Sequence, residues 1–329
     1  MSAPRISVAL CTRNGGRFVA EQLRSILEQS HPVDQIVVSD DASTDDTVAV
    51  VRAVLDEHPA SDRSDVVLTN ERPLGVTSNF EQAIAACSGD LIILSDQDDV
   101  WHAERVASAV QTLGEPGASL VHSDARLVDA DGRDLGVSLL RALEVSDADT
   151  QRILARDAVH VFIRRNLATG ATIAFRRELF SLCRPFPPIW LHDEWLAMIA
   201  AATGGLRLDL RELIDYRQHG GNEVGARVPT FADKLGRLSE VRGEHNVRLA
   251  ERAAELARRV PALPDVDPDV VRLVDDKAAF ERFRAELSPH RLRRLAPVIR
   301  RARRGDYARL SSRGGLDVFR DLLQPATKG

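Results

Sequence analysis

Three carboxylates stand within four positions at residues 96–99 (DQDD), directly after the apolar run 91–95 (LIILS). A strand end delivers side chains to the crevice in which open α/β sheets bind ligands. Clustered carboxylate oxygens are what a hard divalent cation such as Mg²⁺ or Mn²⁺ selects, and such a cation can also touch a diphosphate. A solvated acidic turn would give the same string. A second polar cluster, residues 40–45 (DDASTD), follows another apolar run, 35–39 (QIVVS). A carboxylate there can accept hydrogen bonds from a nucleobase imide or from ribose hydroxyls. Ser43, Thr44 and Asp45 are also good helix caps, so Asp45 is read as starting a helix and Asp41 as facing the ligand.

Two further sites carry chemistry. His192-Asp193-Glu194-Trp195 follows the rigid segment 185–188 (PFPP) and places two carboxylates at an expected helix start, where the helix dipole alone would favour them. In Tyr216-Arg217-Gln218-His219-Gly220-Gly221-Asn222, a histidine sits where a strand gives way to a glycine loop. His219 can complete a metal's coordination or bond a diphosphate, and a guanidinium at Arg217 can clamp two phosphate oxygens at once.

The elements that must position these residues alternate regularly. Residues 6–11 (ISVALC), 35–39, 66–69 and 91–95 read as strands, and helical periodicity follows each of the first three. Strand, loop and helix in succession mean an α/β protein with a mostly parallel, mixed central sheet and helices on both faces. Strand candidates at 119–123 and 171–175 follow. Apolar positions from 231 to 260 keep helical spacing, and a proline-rich link at 261–268 precedes a last helical region. These signals divide the chain into a domain over 1–228, with halves at about 1–100 and 101–228 that the resemblance given below implies are the nucleotide and acceptor halves, and a helical extension over 229–329.

The whole composition narrows the class. The chain has 329 residues, 44% of them hydrophobic, and a net charge of −5, which argues against nucleic acid as a partner. Three cysteines without C-x-x-C spacing point to a reducing, cytoplasmic setting. No apolar stretch is long enough to span a bilayer. Residues 291–304 hold seven arginines and no acid, with Leu292, Leu295, Val298 and Ile299 among them. That pattern suits an amphipathic helix on an anionic membrane surface, a solvated basic face or an oligomer contact, and Pro297 complicates a continuous helix.

Taken together, SVALCTRNGGRFVAEQLRSILEQ, QIVVSDDASTDDT and the D-x-D-D motif after LIILS resemble the inverting glycosyltransferase family 2, with the nucleotide-sugar-binding fold called GT-A. The resemblance covers about residues 5–225. It is nearest to bacterial rhamnosyltransferase-like members through DQDDVW at 96–101 and YRQHGGNEVG at 216–225. It implies that Cys11, Thr12, Arg13, Asn14, Asp41 and Asp96 line the nucleotide sugar, with Arg217 as phosphate clamp. It further implies that Asp98 and His219, with Asp96, hold the divalent cation, and that Asp99 orients a ligand. Trp101 is read as packing beneath that loop. Asp193, with Glu194 as alternative, is the implied general base, held ionised by nearby donors or a cation; adjacent helix residues are not expected to point the same way. Gly170 and Thr172 resemble the acceptor-side loop. The implied partners are a nucleoside diphosphate sugar, with rhamnose on thymidine diphosphate as the subfamily's suggestion, and a glycan or lipid-linked acceptor. Two other readings compete. A nucleotidyltransferase would carry a more basic, glycine-rich first loop than residues 12–16, and a sugar-nucleotide-binding scaffold would have no need to keep three such carboxylates.

Overall fold

The computed structural model describes residues 3–220 and 242–324. Strand β1 (Ile6–Thr12) is buried along its whole length. Ile6, Val8 and Leu10 enter one apolar cluster and Ala9 and Cys11 another, so the strand's two-residue period feeds cores on both faces of the sheet. Helix α1 (Val19–Leu27) returns the chain to β2 (Gln35–Asp40), and α2 (Thr47–Glu57) leads to β3 (Ser64–Thr69). Helix α3 (Val76–Ala86) then leads to β4 (Leu91–Ser95). These four strands are parallel, in the order β3-β2-β1-β4.

Beyond β4 the sheet becomes mixed. The chain passes through β5 (Val100–Trp101), α4 (Arg105–Leu113), β6 (Leu120–Val128), β7 (Asp134–Ser138) and three short helices, α5 (Leu139–Ala142), α6 (Asp147–Leu154) and α7 (Val159–Phe162). It then forms β8 (Ile173–Arg176), α8 (Arg177–Cys183), α9 (His192–Ala202) and β9 (Leu206–Arg217). Strand β8 inserts antiparallel between β4 and β6, β9 runs parallel to β6, and β5 caps the edge antiparallel to β9. The sheet is therefore parallel through its first four strands, and antiparallel ladders enter with β8. Trp101 is buried in the core beneath the acidic loop, with the Arg105 guanidinium 4.4 Å from its ring.

The expected boundary at 228/229 and the first turns of the expected helix over 231–260 lie outside the described residues. From Arg242 the chain forms α10 (Arg242–Arg259), α11 (Pro268–Ala285), α12 (Arg291–Arg303), α13 (Asp306–Leu310) and α14 (Gly315–Leu323). Helix α12 continues through Pro297, because its Val298 face is buried and packing offsets the lost backbone bond. Leu256, Val260, Leu273 and Phe280 share one apolar cluster with Trp195 and Leu196 of α9, so the extension completes the core on that face of the sheet. Arg259 fixes the join by donating to the carbonyls of Leu182, Arg184 and Pro185. No helix among the described residues is long and apolar enough to cross a membrane.

Candidate active site

The C-terminal ends of β1 and β4 open into a cleft of about 1350 Å³, which the α9 start, the loop before β8 and the extension complete. At the β1 exit, the Thr12 hydroxyl donates to Asp40 (2.8 Å) and the Asn14 side-chain oxygen accepts from the Thr44 N–H (2.8 Å). Asn14 has φ of 49°, a conformation asparagine tolerates, and it braces the first loop against the second. Gln97 clamps the same loop by accepting from the Arg13 N–H (2.7 Å) and donating to the Arg13 carbonyl (3.0 Å). A Cβ on Gly15 would lie 2.1 Å from the Gln97 side-chain oxygen, so a side chain there would push Gln97 out of this clamp. Burial raises the pKa of the Cys11 thiol, with the Asp96 carboxylate adding to the effect, so Cys11 lines the cleft as a neutral group.

Asp41 lies at the base of this region, buried, where its carboxylate accepts from the Leu74 N–H (2.6 Å) and the Gly75 N–H (3.0 Å). Gly75 has φ of 82°, which brings the loop's amides over the carboxylate. Arg13, 3.9 Å away, is the nearest cation. Asp45 behaves as a capping residue: it accepts from the Thr47 N–H and hydroxyl and from Gly16, and those bonds lower its pKa against the opposing effect of burial.

After β4, Asp98 lies 2.7 Å from His219 Nε2, and the imidazole stacks on Phe18 at 4.8 Å. Asp96, Asp98 and His219 all line the cleft. An oxygen and a nitrogen donor this close fit two positions of a divalent cation's shell. Among the described residues no three His, Cys, Asp or Glu side chains converge as a complete metal set. Asp99 is buried beneath. One of its oxygens accepts from the Arg217 N–H (3.0 Å), and burial with the neighbouring carboxylates pushes its pKa well up. That bond holds the end of β9, which leads to His219.

Arg217 corrects the expected phosphate clamp. Its side chain is buried, does not line the cleft, and donates to the carbonyls of Asp98 (2.8 Å) and Ala130 (3.2 Å) and to Glu21 (2.7 Å). It braces the acidic loop from behind. The cations that do line the cleft are Arg13, Arg17, Arg164, Arg165, Arg252 and Lys277. Gly221 and Asn222 lie outside the described residues.

At the other end, Asp193 in the first turn of α9 accepts from its neighbour's N–H at Glu194 (2.7 Å) and from Gly170 (3.1 Å). Burial pushes its pKa up to about 6, outweighing those bonds and the more distant Arg252. The expectation of a pKa held low is thereby corrected, because desolvation by burial wins. Glu194 is paired with Arg252 of α10, a partner that α10's distance in sequence concealed. Both carboxylates line the cleft, contrary to the expectation that only one would. Of the acceptor-side pair, Gly170 lines the cleft and a Cβ on it would lie 3.0 Å from His192 Nε2. Thr172 turns its hydroxyl to the Thr169 carbonyl (2.8 Å) and stays outside the cleft lining.

Known proteins resemble this chain in sequence and in fold. The dTDP-rhamnosyl transferase RfbG of Shigella flexneri is 26% identical over 239 residues, covering 71% of this chain and 80% of its own. Among solved structures, the fold matches a mannosyltransferase of Pyrobaculum calidifontis in complex with GDP-Man and Mn²⁺ (21% identity, TM-score 0.55, 93% of this chain and 77% of that one). It also matches residues 1–349 of Staphylococcus aureus TarS in complex with UDP-GlcNAc (16% identity, TM-score 0.57, 85% and 72%). These neighbours are GT-A glycosyltransferases, and the mixed sheet described above has that fold. The family described as glycosyl transferase family 2 matches residues 7–180, more than half of the chain, from within β1 to within α8, and the chain belongs to that family.

Proposed function

We propose that this chain transfers a sugar from a nucleoside diphosphate to an acceptor hydroxyl with inversion at the anomeric carbon. The reading rests on one observation: a partly buried carboxylate poised near neutrality, Asp193, shares a cleft with Asp41 and the Asp98–His219 pair. A general base works best with a pKa near the working pH. Asp193 takes the proton as the acceptor oxygen bonds to the anomeric carbon, and the bond from that carbon to the diphosphate oxygen breaks in the same displacement. Gly170 and Glu194 amides orient the carboxylate, and the Glu194–Arg252 pair keeps the second acid from competing for the proton.

Asp41 and Arg13 are assigned to the nucleoside, and Asp96 to the ribose or a metal-bound water. Asp98 and His219 would hold Mg²⁺ or Mn²⁺, which when bound supplies Lewis-acid stabilisation of charge on the leaving diphosphate. Arg17 at the cleft rim adds positive field there. The likeness to RfbG supports thymidine diphosphate rhamnose as the donor, and the setting assigned here is cell-surface polysaccharide or glycolipid assembly. The test is transfer from a panel of donors to glycan and lipid-linked acceptors, read as release of nucleoside diphosphate together with labelled product. Acceptor-dependent release that Asp193→Asn removes would support the reading. Acceptor-independent indifference to every donor in folded protein would sink it.

A further inference from the structure

Helices α12 and α14 hold half of the large apolar side chains that the described residues leave in solvent. Leu292 is 83% exposed, and with Leu295 and Ile299 it follows the i, i+3, i+7 spacing of one helical stripe. Leu316, Phe319 and Leu323 repeat that spacing on α14, each more than half exposed. The two helices form one unit. Arg294 is buried between them and donates to the α14 carbonyls of Asp321 (3.1 Å) and Gln324 (2.8 Å). Tyr307 and Arg284 lock Asp321 from the other side (2.7 and 2.8 Å), so the stripes belong to a braced scaffold rather than a frayed end.

Charge decides what covers them. Of the seven arginines in 291–304, Arg294 is buried and Arg301 is paired with Asp306. Arg291, Arg293, Arg300, Arg303 and Arg304 are exposed and have no ion pair among the described residues. A second copy docked face to face would bring these five like charges against their own images. An anionic bilayer takes both parts at once: leucine and phenylalanine enter the acyl boundary while arginine stems carry their charges to the headgroups.

We propose that α12 and α14 together form a docking face for the surface of an anionic phospholipid bilayer. The same extension sends Arg252 of α10 and Lys277 of α11 into the cleft, so docking is mechanically continuous with the acceptor wall. On the reading of the chain as a sugar transferase, this face selects acceptors anchored in lipid over free glycans; only that last step rests on the proposed function.

The experiment is co-sedimentation of the full chain with phosphatidylglycerol-containing vesicles and with pure phosphatidylcholine vesicles, at low and high salt. Salt-sensitive binding to the anionic vesicles is expected. Leu292→Glu with Phe319→Glu should lower partitioning at least about tenfold, and Arg300→Glu with Arg303→Glu by a similar factor. All four sites are exposed, so circular dichroism should stay unchanged. Equal binding to both vesicle types, or wild-type partitioning of the Leu292/Phe319 variant, would overturn the proposal. So would a dimer in sedimentation equilibrium that the same variant dissolves, since a second copy would then cover the face. Vesicle binding needs neither donor nor acceptor, so its failure leaves the transfer chemistry standing, and failed transfer leaves the docking face standing.

Discussion

The acid limb of the pH profile should report Asp193 directly. Burial raises its carboxyl from the ordinary 3.8 to about 6, and its two amide bonds only partly oppose that. If the ionised form is the base, kcat/KM falls tenfold per pH unit below about 6. At pH 5 roughly a tenth of the molecules carry the ionised form, against more than nine-tenths had the group kept its ordinary value. Activity at pH 5 should thus be near one-tenth of the plateau, with nucleotide affinity little changed. Asp193→Asn should lose about 10² to 10⁴ in kcat across the whole range and show no such limb. The linked stability has a definite sign: the carboxyl favours the fold below its unfolded value near 3.8, and that contribution is lost as pH rises through about 6. The shift corresponds to at most about 3 kcal/mol, less after solvent screening. Steady-state rates between pH 4.5 and 8 with the protein checked for folding provide the assay. A flat profile from pH 5 to 7, or wild-type turnover by Asp193→Asn, would refute the reasoning.

Other expectations follow from the same geometry. Asp98→Ala should remove metal-dependent nucleotide binding, seen as loss of the difference between Mn²⁺ and EDTA titrations. Arg217→Ala removes the bonds to the loop carbonyls of Asp98 and Ala130, while Glu21 stays solvated, so thermal unfolding should show a loss of about 1 to 3 kcal/mol. Gly170→Ala crowds His192 Nε2 and should lower kcat at least several-fold while calorimetry shows unchanged nucleotide binding. Arg252→Ala strands Glu194 beside Asp193 and should move the acid limb to higher pH, because a lost cation and an unpaired neighbouring carboxylate both disfavour ionisation.

What the sequence displayed well was local. The run LIILS followed by DQDD is legible because a short apolar strand delivers whatever follows it to the crevice, and the DDASTD loop after QIVVS is legible for the same reason. Asp45 as a cap and Trp101 as buried packing also follow from neighbours close in the chain. What it concealed depends on distant partners. Arg217 reads as a clamp until Asp98, Ala130 and Glu21, brought in by three other segments, take up its donors. Asp193 reads as a carboxylate of low pKa until the folded chain buries it and removes water. The extension reads as an appendage because its helical period says nothing of which surface it meets, although Leu256 and Phe280 close the catalytic core.

In the proposed function the cleft binds a nucleoside diphosphate through its β1 and β4 exits, with a divalent cation at Asp98 and His219. Calorimetric titration of dTDP, UDP and GDP, each with Mn²⁺ and with EDTA, tests it most directly. Binding of one of them that requires the metal, and that Asp98→Ala loses, is the expected result; equal binding with EDTA, or none by any of the three in folded protein, would contradict it.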